Sequence, residues 1–380
     1  MTNKIKIRDE ILEVLKNIVA IDTCYPPGHT LKISQFIKKY LSGSGFNINM
    51  HSKNKNKPNI VLKNYKGNKS SIVFNCHIDT VKPILKEWKT PPFTLKIRGS
   101  KCIGLGSVNC KGSTAVHLYF AKNFKKLFPN YKNRICFTFV TDEENLGPEG
   151  TKFLKDKKII KPHTLVLGAP TNNNFIVEER GVFWLNVEVF GKTSHAGDPI
   201  KGINSITKAA KIINLLEHKY KKRLKKYDTK YSKSTINVGI INGGENVNVV
   251  PHITNFEIDR RITIKEDINK SFREIKSFIK KIDKSAKVSF LRGTNAFKSN
   301  KSNIYLKSLI NSYSLINKKK PNFLNSIGVS DGRYFANDKI NIINIGPGDG
   351  AQGHKSNETL IIKELVDYFL ILKNFIKSFE

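Results

Sequence analysis

SIVFNCHID, Ser71 to Asp79, is a short apolar run that ends in an imidazole and a carboxylate two positions apart. A run of this length, closed by a polar turn, reads as a strand buried on both faces. Alternate side chains of a strand share a face, so His77 and Asp79 point the same way at its carboxyl end. The carboxylate there is placed to orient the ring, as a metal-bound histidine requires. Taken alone, H-x-D is a weak signal and more often marks a satisfied surface pair.

Working outward, "NIVLKNY", "RICFTFVTDEE" and "TLVLGAP" repeat the pattern, each an apolar run ending near Gly, Asp or Pro. Helical periodicity is predicted over 8–21, 30–42, 113–128 and 147–158. Strands alternating with helices predict an α/β fold with a large, parallel or mixed sheet covered on both faces. From Glu179 the texture changes, and "GVFWLNVEVFGKTS" alternates strictly, as a half-exposed antiparallel strand does. A helix over 202–223, strands at "STINVGIINGG" and "ITNFEIDRRIT", a helix over 266–282 and a strand "AKVSFLRG" follow. This β-α-β-β-α-β order predicts a ferredoxin-like domain at 179–292. It is inserted in a larger domain made of 1–178 and 293–380, which ends in an amphipathic helix over 361–379.

With 39% hydrophobic residues in 380, the chain can bury a sizeable core. No apolar run approaches the roughly 20 residues of a membrane span. The amino terminus mixes charge into helical spacing and so lacks a signal peptide's apolar stretch. Five cysteines without C-x-x-C spacing predict a reduced, cytoplasmic setting. The 66 Lys and Arg against 31 Asp and Glu give a formal charge of +35. These lysines are spread through nearly every segment rather than clustered with aromatics, which speaks for a solvated surface and against nucleic acid. An acidic partner protein stays open.

Three more motifs carry chemistry. In "GLGSVNCKGSTA", Gly104 to Ala115, a glycine turn leaves a strand and opens a helix, with Asn109 and Cys110 at its centre. In "VTDEENLGPEGT", Glu143 and Glu144 close a strand, and adjacent acids persist cheaply only in water or beside a cation. In "GPGDGAQGHKSNE", a glycine-rich loop presents His354, with Glu358 four residues later at the start of the last helix.

Together, H-x-D, G-x-x-N-x-K-G, D-E-E and the glycine-loop histidine resemble the di-zinc metallopeptidase family. That family includes aminoacylases, acetylornithine deacetylases and succinyl-diaminopimelate desuccinylases. "GKTSHAGDPIKGINSI", "NVNVVPHITNFEIDRR" and "GVSDGRYF" extend the likeness over almost the whole chain. The resemblance implies that His77 is a metal ligand with Asp79 as its orienting acid. It implies that Glu143 is the general base, and that Glu144 and His354 ligate a second metal. In the inserted dimerisation domain, His195 matches a histidine that reaches across a homodimer toward the oxyanion. Asn248, Arg261 and Ser330 match substrate-binding positions, and an arginine fork suits a substrate carboxylate.

Two positions depart from the family. A metal-bridging aspartate is expected where Asn109 stands, and a ligand glutamate where Ala169 stands in "LVLGAPTNN". An amide oxygen brings no charge, and alanine brings no donor. Two Zn²⁺ ions would face one negative protein ligand, a costly imbalance in a partly dry site. One Zn²⁺ (or Co²⁺ or Mn²⁺), or none, is expected rather than two, and a Cys110 thiolate is a lesser option for a ligand. The expectation is an amidohydrolase for a small acylated amino acid or peptide. The alternative is a non-hydrolytic relative that binds, transfers or condenses acyl groups. An acidic carrier protein bearing the substrate is compatible with either.

Overall fold

A computed structural model describes residues 2–326 and 328–380. The chain divides into two compact units, Met1–Val177 with Ser299–Leu324 and Ser330–Glu380, and Glu178–Lys298 with Asn325–Val329.

The first unit is built on a six-stranded mixed sheet. Its order is Asn341–Ile345, Lys161–Gly168, Lys69–His77, Ile135–Val140, Asn59–Lys63 and Asn47–His51. The first four of these run parallel, and the last two pair antiparallel. Strand Lys69–His77 lies inside the sheet, and its last five residues are all buried. That burial explains why the quoted run is apolar nearly throughout rather than alternating. Helices Thr2–Val19, Lys111–Leu127 and Ile362–Lys377 pack on one another, and Ile304–Asn317 packs on the last of them. Phe74, at the middle of the central strand, stacks on Phe137 with centroids 5.1 Å apart and meets Phe120 and Phe375 edge-on. Burying a side chain of this size is worth about 1.5–3 kcal/mol.

The second unit is the expected β-α-β-β-α-β sandwich. Strands Gly181–Phe190, Thr235–Gly243, Ile253–Ile262 and Lys287–Thr294 form an antiparallel sheet with Thr235–Gly243 at one edge. Burial alternates along Ile253–Ile262, as one covered face demands. Phe183, Val187, Phe256 and Ile258 from the sheet meet Ile212, Ile275 and Ile279 from helices Ser205–Leu215 and Ile268–Ile282.

Two local expectations are corrected. The helix expected over 147–158 is shortened to Thr151–Asp156, because Pro148 and Gly150 keep the preceding residues in a turn. Glu358 precedes a short strand, Thr359–Ile361, that pairs with Lys101–Ile103; the last helix starts only at Ile362.

Candidate metal and catalytic site

Parallel strands bring their carboxyl ends to one edge, where α/β sheets place their sites. His77 ends one strand, Asp142 to Glu144 follow the next, and His354 lies in the loop after Asn341–Ile345. Asn109 sits in the turn that opens helix Lys111–Leu127.

This edge brings together the four expected ligand positions and the expected base. Asn109 Nδ2 donates to Glu144 Oε1 at 2.9 Å and lies 2.9 Å from His354 Nε2. His354 Nε2 is in turn 3.0 Å from Glu144 Oε2. Asn109 Oδ1 faces His77 Nε2 at 3.4 Å. His77, Glu143 and Glu144 present ligand atoms within 4.8 Å of one another.

Asp79 acts on His77 differently from a simple carboxylate–imidazole pair. His77 Nδ1 meets the backbone oxygen of Asp79 at 3.0 Å, and the carboxylate stands at 3.6 Å. The chain leaves the strand at His77, so the strict alternation behind the sequence argument ends there. The other Asp79 oxygen accepts the Glu144 N–H at 3.1 Å, so this acid ties the two motifs together. Burial alone would depress the His77 pKa, but Asp79, Cys110 and Glu143 outweigh it and hold it well above the ordinary value. Burial raises the Glu144 pKa against the opposing pull of His354, while Glu144 raises that of His354.

The adjacent acids are answered by a group that the sequence reading missed. Arg333, 3% exposed, donates from Nη1 to Glu143 Oε1 at 2.8 Å and from Nη2 to the Glu143 backbone oxygen at 3.3 Å. Asp331, which accepts a 2.7 Å bond from Thr151, lies 3.6 Å from the same guanidinium. Water and cations are therefore not the only means of keeping Glu143 and Glu144 side by side. The signal was present in "GVSDGRYF", but only tertiary structure pairs positions 190 residues apart. Ser330 caps the short helical turn of that motif by accepting from Gly332 N–H at 3.2 Å. Glu358 was likewise missed as a support of the site. Burial lifts its pKa to about 7, opposed by backbone N–H groups of Gly106, Val108, Asn109 and His354.

Ala169 follows strand Lys161–Gly168, whose Leu167 faces Asn75. His77 and Ala169 thus each lie two residues beyond a registered pair, and the methyl group brings no donor there. Cys110 is buried beside His77 and donates to Gly168 O at 2.8 Å.

His195, Asn248 and Arg261 belong to the second unit. The His195 and Asn248 loops adjoin, with Ala196 N–H donating to Asn248 O at 2.9 Å. Gly197 N–H donates to His195 Nδ1 at 3.0 Å, so the proton of a neutral ring sits on Nε2, ready for an acceptor. The Arg261 fork is bidentate to Asp259, at 2.7 and 2.9 Å.

His354 Nε2 faces an amide that donates and a carboxylate that accepts, and a single nitrogen cannot serve both. A cation among Glu144, His354 and a rotated Asn109 oxygen would resolve that conflict. Alanine at 169 carries no side-chain atom that could hold a cation.

Comparison with known proteins agrees with the fold. The peptidase dimerisation domain of the M20 family matches residues 177–287. A succinyl-diaminopimelate desuccinylase of Wigglesworthia glossinidia brevipalpis is 29% identical over 369 residues, 94% of this chain and 95% of that protein. An M20 family metallo-carboxypeptidase from Sulfolobus solfataricus superimposes with a TM-score of 0.80 at 18% identity, covering 97% of this chain and 99% of that one. A Bacillus subtilis M20 peptidase described as dinuclear metal binding gives 0.71 at 14% identity, covering 97% of each chain.

Proposed function

We propose that this chain, which shares the M20 fold and matches that family's dimerisation domain over residues 177–287, is an amidohydrolase acting on a small N-acyl amino acid or peptide. The observation that carries this reading is the convergence of His77, Asn109, Glu143, Glu144 and His354 at one sheet edge. Glu144 and His354, with the Asn109 oxygen, are the proposed holders of one cation, with His77 beside them. Bound there, a divalent cation supplies Lewis acidity toward an acyl oxygen and toward water.

The chain's own residues do the rest. Arg333 engages one Glu143 oxygen and fixes the carboxylate's direction, leaving the other oxygen to take a proton and return it to the leaving amine. His195 carries its proton on Nε2 and can donate to a developing oxyanion. Asn248, Ser330 and Arg261 are the proposed substrate contacts, and a substrate carboxylate would compete with Asp259 for the Arg261 fork. A homodimer fits the exposed apolar edge strand, where Ile240 and Ile241 are each 50% exposed.

A second reading, a non-hydrolytic relative, is favoured by the same amide. Asn109 bonds Glu144 and approaches His354 with no cation needed, and the Arg333 guanidinium already occupies one Glu143 oxygen. Metal analysis with a panel of acylated amino acids separates the two. The first predicts one equivalent of Zn²⁺ or Co²⁺ and turnover that vanishes in Glu143→Ala. Absence of both binding and turnover sinks it in favour of the second. Asn109→Asp combined with Ala169→Glu is expected to raise the metal content to two equivalents.

A further inference from the structure

The lysines read as a solvated surface include two that are buried, Lys57 and Lys111. Lys111 lies in the supporting turn and donates to Ile21 O at 2.9 Å. Lys57 lies far from the catalytic motifs in sequence, yet its ammonium sits 3.1 Å from Asp142 Oδ1 and 3.2 Å from Glu149 Oε2. These two acids are the first and last residues of the turn that holds Glu143 and Glu144.

That turn has an electrostatic problem. Positions 142, 143, 144 and 149 are all acidic, and the Asp142 side chain is only 2% exposed. Water cannot screen a carboxylate so enclosed, so a countercharge must. Arg333 serves Glu143 and His354 serves Glu144, which leaves Asp142 and Glu149 to Lys57. Burial alone would weaken the Lys57 ammonium, but Asp142 and Glu149 outweigh it and raise its pKa.

Asp142 is also the pivot of the turn. It adopts φ +65°, accepts the Glu149 N–H on Oδ2 at 3.1 Å, and packs so closely on Gly147 that no side chain could stand there. Two residues after Lys57, the Asn59 amide donates to Glu149 O at 2.8 Å and accepts from Thr141 N–H at 3.1 Å. The same segment thus grips both ends of the turn, by charge through Lys57 and by backbone bonds through Asn59.

We propose that Lys57 is a positioning residue for the candidate site, closing the 142–149 turn so that Glu143 and Glu144 face His77, Asn109 and His354. This rests on the reading of those two glutamates as site residues.

The test is amide hydrogen exchange on the full chain carrying Lys57→Met or Lys57→Arg. The Glu144, Leu146, Gly147 and Glu149 amides all bond within the turn or to Asp79. In Lys57→Met they should exchange roughly tenfold faster or more, while the amides of Ile135–Val140 keep their protection. Lys57→Arg should restore them. Affinity for zinc, added alone, should fall about tenfold or more in Lys57→Met and recover in Lys57→Arg. Should Lys57→Met fail to fold, Glu149→Gln removes half of the clamp and should loosen the same amides. Unchanged turn exchange in a folded variant overturns the proposal, as does equal loosening of Ile135–Val140. The exchange arm does not depend on turnover or on a bound cation, so the functional reading can fail without it.

Discussion

The six-stranded sheet is filled with rings, Phe74, Phe120, Phe124 and Phe137 among them, whereas the inserted sheet buries a charged pair, Arg260 and Glu266, beside a core of mixed aliphatic and aromatic side chains. Neither Arg260 nor Glu266 is appreciably exposed, and Arg260 also donates to Ser234 at 2.8 Å. The first core is held by shape and area, which tolerate gradual change. The second holds charges that are stable only as a pair. The contrast is one of place: the unit with the candidate site gathers its buried charges at the sheet edge, where loops present them, while the inserted unit uses a charged pair to close its interior.

The largest expected effect tests that interior pair. Glu266→Ala leaves a buried guanidinium unpaired and should cost about 3–5 kcal/mol. Urea unfolding can be followed unit by unit, because Trp88 lies in the first unit and Trp184 in the second. With Trp88→Phe as background, a loss below about 1 kcal/mol at Trp184 would show that the pair is not needed.

A pH effect is expected in the ring-filled core. His117 is fully enclosed between Cys76 and Tyr368, and burial pushes its pKa down to about 3 from an ordinary 6.5. The unfolded chain therefore takes up a proton that the folded one refuses. Stability from this group is fully present above about pH 6.5 and is lost as pH falls toward 3. Stability curves between pH 7 and 4 should flatten in His117→Leu, even though that variant is less stable throughout. An unchanged slope would assign the acid sensitivity to other groups.

The smallest effect concerns a helix of the inserted unit. Asp267 caps Ile268–Ile282 by accepting from Asn269 and Lys270 N–H groups, each at 3.0 Å. Asp267→Ala should cost about 1 kcal/mol, read from the same Trp184 transition. A cost similar to that of Glu266→Ala would erase the distinction between surface capping and interior pairing.

Most of the fold was legible because its signals are periodic. Buried parallel strands are apolar throughout, and half-covered antiparallel strands alternate, so Ser71–Asp79 and Gly181–Phe190 betray their surroundings locally. That His77, Glu143 and Glu144 lie at one edge was legible because they sit at or just past the ends of such strands. The pairings of Arg333 and Lys57 were not, and Glu358 was marked by its motif but not by its burial. Nothing local marks an arginine in a polar loop, or one lysine among so many, as the partner of a distant carboxylate.

The sequence by itself determined where charges could gather: at the carboxyl ends of strands, with an amide at 109 and a methyl at 169. Tertiary structure alone decided how those groups answer one another. The Asn109 nitrogen turns to Glu144 and His354, Arg333 closes on Glu143, and Lys57 spans Asp142 and Glu149. The physical reason is range. Periodicity is written in neighbours a few residues apart, whereas a buried charge is settled by whichever opposite charge the fold brings within about 3 Å.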